Sequence, residues 1–140
     1  MSYSARVDGY LEIDPPLRWA EFRESRFFVD NSVSDDEPDV VLRMDREDIE
    51  TEDGVSTVFS CKFAVPLRVG SAYDPRNLAG DCGLLFEELK KTGHTLAGEL
   101  IVQPLDYGDG GIWRVVVDDE GARKETAKLQ WPDGSEVQLP

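Results

Sequence analysis

The chain has 140 residues, with 15 Lys and Arg against 29 Asp and Glu, a net charge of −14. That length suits one domain spanning residues 1–140, and 40% hydrophobic residues are too many for a wholly disordered chain. The acidic balance speaks against direct binding to nucleic acid or to an anionic membrane, both of which need Lys and Arg to meet phosphates.

From Tyr3 to Ile13 the odd positions Tyr3, Ala5, Val7, Leu11 and Ile13 are apolar or small, while Arg6, Asp8 and Glu12 fall between them; this period of two predicts a half-buried strand. Asp14-Pro15-Pro16 reads as an N-cap with proline in the first turn, predicting a helix over Pro15 to Ser25. Asp30 to Asp39 is polar and reads as a loop. Val40 to Thr51 and Val55 to Val65 read as the two strands of a hairpin closed by Glu52-Asp53-Gly54, with Gly54 supplying a positive φ. In the second strand Val55, Thr57, Phe59, Cys61, Phe63 and Val65 are expected on one face.

Asp74-Pro75 repeats the cap signal and opens a helix over Pro75 to Lys91. Its stripe of Leu78, Cys82, Leu85, Phe86 and Leu89 is spaced for burial, Lys90 and Lys91 suit its C-terminal dipole, and Gly93 fits the position just past the end. Gly80 and Gly83 weaken this helix by about 1 kcal/mol each, a cost expected to reflect close packing on the sheet. Thr95 to Gln103 and Ile112 to Val117 read as strands on either side of the glycine-rich loop Asp106 to Gly111. Asp118-Asp119-Glu120-Gly121 then turns the chain into a strand over Lys124 to Trp131. The order β-α-β-β-α-β matches the split βαβ plan of an α+β, ferredoxin-like fold: an antiparallel sheet with two helices on one face, here with an added C-terminal hairpin.

The segment Tyr3-Ser4-Ala5-Arg6-Val7-Asp8-Gly9-Tyr10-Leu11-Glu12-Ile13-Asp14-Pro15-Pro16-Leu17-Arg18-Trp19-Ala20-Glu21, together with Leu96-Ala97-Gly98-Glu99-Leu100, Gly108-Asp109 and Trp113-Arg114-Val115-Val116-Val117, resembles small proteins of unknown function from actinobacteria and their phages. The resemblance covers the beginning and the last third of the chain. It implies a cytoplasmic bacterial or phage protein and brings no catalytic residue with it. No apolar run approaches the ~18 residues of a membrane span, and Met-Ser-Tyr-Ser opens without a signal-like pattern; a soluble, cytoplasmic protein is the expectation.

Chemistry-bearing motifs are few. Cys61, Cys82 and His94 are too few and too irregularly spaced for structural zinc, so no metal or other cofactor is expected. Both cysteines read as small buried hydrophobes, and His94, just past a helix end, as a surface or capping residue. No P-loop, dinucleotide fingerprint or nucleophile elbow occurs, and no catalytic residue stands out. Trp19 and Phe22 with Arg18, Arg23 and Arg26 read as core aromatics rimmed by arginines.

Charge placement is the most informative feature. Between Asp30 and Asp53 stand eleven carboxylates against Arg43 and Arg46, a net −9. The expected function is a non-enzymatic interaction protein, a phage-related modulator or inhibitor, using Asp35, Asp36, Glu37, Asp39, Asp45, Glu47, Asp48, Glu50, Glu52 and Asp53 to dock on a basic surface such as that of a nucleic-acid-binding protein. The alternatives are a solvated face kept soluble by charge, or a small carboxylate-dependent enzyme or ligand-binding domain at Asp106 to Asp109 with Glu99.

Overall fold

A computed structural model describes residues 3–29, 37–105 and 111–137. Its elements run β1 (Ala5–Arg18), α1 (Trp19–Phe22), β2 (Val40–Thr51), β3 (Gly54–Pro66), α2 (Leu78–Lys91), β4 (Thr95–Pro104), β5 (Trp113–Asp118) and β6 (Gly121–Thr126). The six strands form one open sheet in the order β2-β3-β1-β4-β5-β6, each antiparallel to its neighbours. The fold is α+β.

The ferredoxin-like expectation is not supported. That plan lays two full helices across one face of the sheet, whereas α1 is a single turn, so the connection from β1 to β2 lacks the helix of a βαβ unit among the described residues and the domain is mostly sheet. Of the helix expected over Pro15 to Ser25 only Trp19–Phe22 is helical, and Pro15 to Arg18 continue β1, which bulges between Glu12 and Leu17, then pairs again through Leu17 with Cys61 and Arg18 with Ser60. Leu17 keeps the odd-numbered inward register and is 2% exposed, so its burial in the sheet core outweighs the local cap signal of Asp14-Pro15.

One face of the sheet receives α2, which packs against β4, β5 and β6 and reaches β2. The expected stripe Leu78, Cys82, Leu85, Phe86 and Leu89 is buried there against Leu11, Ile13, Leu96, Leu100, Val102, Val115 and Val117. Burial of each such leucine is worth about 1.5–3 kcal/mol. The helix begins at Leu78 rather than Pro75, after Asn77. Gly93 takes φ +82° beyond its end, as the cap requires. Gly80 and Gly83 do not serve close packing: a Cβ at either would meet no atom within 4 Å. Close approach occurs instead between β1 and β4, where Gly9 pairs with Leu100 and Gly98 with Leu11; a Cβ on either glycine would strike the backbone carbonyl oxygen of Glu99 or Tyr10.

The opposite face has no element laid over it among the described residues, and Tyr10, Ile101 and Arg114 stand exposed there. The strand expected over Lys124 to Trp131 begins earlier, because a tight turn pairs Asp118 with Gly121 directly. Leu129 and Trp131 therefore lie beyond β6 and are exposed. No helix is long and apolar enough to cross a membrane among the described residues.

Candidate functional site

The β2–β3 hairpin forms as expected, its second strand running one residue further at each end than Val55 to Val65, with Gly54 at φ +123° in the turn. Its base is part of the core. Leu42 pairs with Ala64 and both are buried. The ladder then shifts, with Arg43 opposite Phe63 and Met44 opposite Cys61, leaving Lys62 as an extra residue on β3. Such a bulge turns the following side chains over. Phe63 and Val65 therefore do not share the inward face of Cys61, as alternation alone predicts; Ala64 and Pro66 are buried in their place. Phe63 packs edge-on against Tyr10, with centroids 5.1 Å apart, and lies under Arg43 at 4.8 Å.

Past Ser60 the hairpin leaves the sheet. Pairing between β1 and β3 ends at Arg18 and Ser60, while β2 and β3 continue from Arg46 opposite Phe59 to Thr51 opposite Gly54. Every residue from 46 to 58 is exposed. At ~3.3 Å per residue this two-stranded ribbon projects about 20 Å. It is braced locally: Thr57 Oγ1 donates to Asp48 Oδ1 at 2.8 Å, Arg46 Nε lies 3.3 Å from the same oxygen, and Thr51 Oγ1 donates to the Gly54 carbonyl at 3.0 Å.

The ribbon carries Asp45, Glu47, Asp48, Glu50, Glu52 and Asp53. Alternation places Asp45 and Glu47 on one face and Asp48 and Glu50 on the other, with Ile49, Val55 and Val58 exposed among them. Only Asp45 and Asp48 have a cation within 4 Å among the described residues, Arg43 at 3.8 Å and Arg46 at 3.3 Å. Asp45 Oδ2 is shut off from solvent and has no hydrogen-bond partner among the described residues.

The remaining expected docking residues lie elsewhere. Asp35 and Asp36 fall outside the described residues, and Glu37 is half-buried. Asp39 is 7% exposed and belongs to the interior. Its Oδ2 accepts from the Asn77 amide at 2.7 Å, at the start of α2, and its own amide donates to Asp81 Oδ2 at 2.9 Å. Its carbonyl accepts from the Tyr73 hydroxyl at 3.0 Å. Burial, reinforced by the nearby Asp81 carboxylate, pushes the Asp39 carboxyl above its ordinary range. Asp39 thus ties the entry of β2 to the first turn of α2.

His94 is also interior, at 7% exposed, rather than on the surface. Its backbone amide closes the end of α2 on the Leu89 carbonyl. Its ring lies 2.6 Å from the Pro15 carbonyl through Nδ1 and 2.8 Å from Glu21 Oε2 through Nε2. The His94 hydrogen bond, helped by the Arg18 amide, holds the Glu21 carboxyl down at about 2. Trp19 packs edge-on to Phe22 and Phe28 at 5.4 and 5.8 Å, Phe22 is fully buried, and Arg18 and Arg26 pair outward with Glu21 and Asp81.

The enzyme alternative names Glu99, Asp106 and Asp109. Glu99 is held by Arg114 at 2.9 Å, which also binds Glu125 at 2.7 Å, and Asp106 and Asp109 lie outside the described residues. An open cavity of about 280 Å³ beside Arg114 is lined by Ile101, Ile112, Trp113, Glu125, Thr126 and Ala127. Cys61 and Cys82 are free and buried, and burial pushes their thiols up to about 11 and about 12, where they are inert as nucleophiles. Among the described residues no group of three or more His, Cys, Asp or Glu could hold a metal ion.

Comparison with known proteins assigns the chain through its full length. Residues 1–140 match the family described as "Family of unknown function (DUF6205)". The chain belongs to that family. The description of DUF6205 specifies neither an actinobacterial nor a phage source. No curated protein matches the chain, and no solved structure does.

Proposed function

We propose that this DUF6205 protein is a non-enzymatic interaction protein that presents its acidic ribbon to a basic surface on another protein. The observation that carries the reading is the projection of β2 and β3 beyond the sheet, exposed from residue 46 to residue 58, with most of its carboxylates lacking a cation within 4 Å among the described residues. A two-stranded ribbon is a poor way to store charge for solubility, because like charges strain a structure that is marginal by itself. Carried clear of the sheet, the same charges meet a partner before the rest of the molecule does and speed the encounter by long-range attraction. The basic surface of a nucleic-acid-handling protein has the complementary chemistry. Exposed Ile49, Val55 and Val58 supply apolar contact once the charges have aligned the two molecules.

The test is capture from the natural host by the tagged chain and by its Asp45→Asn, Glu47→Gln, Asp48→Asn, Glu50→Gln variant. A basic protein retained by the first, and held at least about tenfold more weakly by the second at low salt, supports the reading; the gap closes as salt is added. Equal retention by both at low salt contradicts it.

A further inference from the structure

Beyond its charge, β2 has a property that the proposed docking does not use: it is the terminal strand of the sheet. Near its start the outer edge is occupied, since the Leu42 amide donates to the Phe27 carbonyl at 2.8 Å. From Met44 to Thr51, among the described residues, its backbone bonds only to β3. The bulge residue Lys62 lies on β3, so the alternation of β2 itself is unbroken. Met44, Arg46, Asp48 and Glu50 therefore turn their N–H and C=O groups outward as Leu42 does. Such an edge is a template for another strand.

Charge decides which strand fits. A second copy of the chain is disfavoured, because pairing β2 with β2 sets the carboxylates of one copy against those of the other, and like charges across a ladder are destabilising. A strand bearing lysine or arginine meets Asp45 and Glu47 on one face and Asp48 and Glu50 on the other, with Ile49 available to an apolar neighbour.

We infer that β2 takes a basic, extended segment of its partner as a seventh strand, held by main-chain hydrogen bonds along the outer edge from Met44 to Glu50 and selected by the carboxylates on both sides. This rests on the proposed docking of the ribbon and specifies its chemistry: the recognised element is a basic strand rather than a folded basic patch.

The test uses the full chain, labelled for amide NMR, and a short end-blocked peptide of lysine pairs separated by single valines, which presents lysine on both faces of a strand. A second peptide has the same side chains and charge, but methyl groups replace the backbone N–H hydrogens on one edge. The inference expects shifts and slowed exchange at the amides of Met44, Arg46, Asp48 and Glu50 with the first peptide, and at least about tenfold weaker binding of the second, as the loss of several hydrogen bonds requires. Equal binding of the two peptides overturns strand addition while leaving the charge-based docking in place. Failure of both peptides to bind at low salt overturns the inference. Binding of the first peptide that is unchanged in the four-carboxylate variant overturns selection by charge and the docking proposal with it.

Discussion

The two ends of the β2–β3 hairpin are built from the same alternating pattern and live in opposite environments. At the base, Leu42, Cys61 and Ala64 are sealed in the hydrophobic core, and the carboxylate of Asp39 accepts a hydrogen bond from the start of α2. At the tip, Val55 is 65% exposed and Glu47 and Glu50 have no cation beside them among the described residues. The difference teaches that an acidic residue in this segment cannot be assigned a role from its charge alone. Asp39 is a structural tether, whereas Glu47 and Glu50, further along the chain on β2, are surface.

Substitutions at the two ends should separate accordingly. The largest effect belongs to the helix-covered core: Leu85→Ala removes a fully buried side chain and should cost about 2–5 kcal/mol, lowering the thermal midpoint by many degrees. A shift too small to resolve in a melting experiment would show that α2 does not bury this face. Gly98→Ala follows, because φ +146° and the Tyr10 carbonyl leave no room for a Cβ; a loss of roughly 1–3 kcal/mol is expected by chemical denaturation. At the tip, Val55→Thr should change stability by less than about 0.5 kcal/mol. A large loss there would mean the ribbon is part of the cooperative core.

An acid titration sharpens the same contrast. Glu21, held by His94, has its carboxyl lowered from 4.5 to about 2 on folding. A carboxyl with a depressed folded value contributes stability that is fully present above its unfolded value and is lost as pH falls through its folded value. Glu21→Gln should therefore be less stable than wild type at pH near 6, with the difference narrowing as pH drops from 4.5 toward 2. A difference independent of pH would remove the ionised Glu21 carboxylate from the account. A small effect of the opposite sign is expected on the exposed side of α2, where Gly80→Ala should stabilise by about 0.5–1 kcal/mol in a melting experiment.

Sequence periodicity served well where burial is apolar and regular. The stripe from Leu78 to Leu89 follows it, the pairing of the hairpin between Val40 and Val65 could be read from it, and Gly54 and Gly93 mark the turns. It failed where a local signal competed with the sheet. Asp14-Pro15-Pro16 has the composition of a helix start, yet Leu17 continues the odd register of β1, and that register was visible in the sequence. The bulge at Lys62 leaves no compositional trace, so the inward positions after Cys61 could not be read from alternation. Buried polar groups were the main omission. Asp81 interrupts an otherwise apolar helical stripe beside Cys82 and was the available sign of a buried carboxylate. The link from Asp81 to Asp39 spans forty-two residues, and the link from His94 to Glu21 spans seventy-three; only the fold brings them together.

The central claim is that placement of the ribbon's charge, rather than the amount of charge on the molecule, creates the docking surface. Two variants of equal net charge test it against the captured partner in low salt. One carries Asp45→Asn, Glu47→Gln, Asp48→Asn and Glu50→Gln; the other carries Glu87→Gln, Asp119→Asn, Glu120→Gln and Glu136→Gln, all at exposed positions away from the ribbon. The account predicts that affinity falls at least about tenfold for the ribbon variant and stays within about twofold of wild type for the other, since distant charges act mainly through a screened field. Equal losses in the two variants would contradict it and leave the ribbon as one part of a uniformly acidic surface.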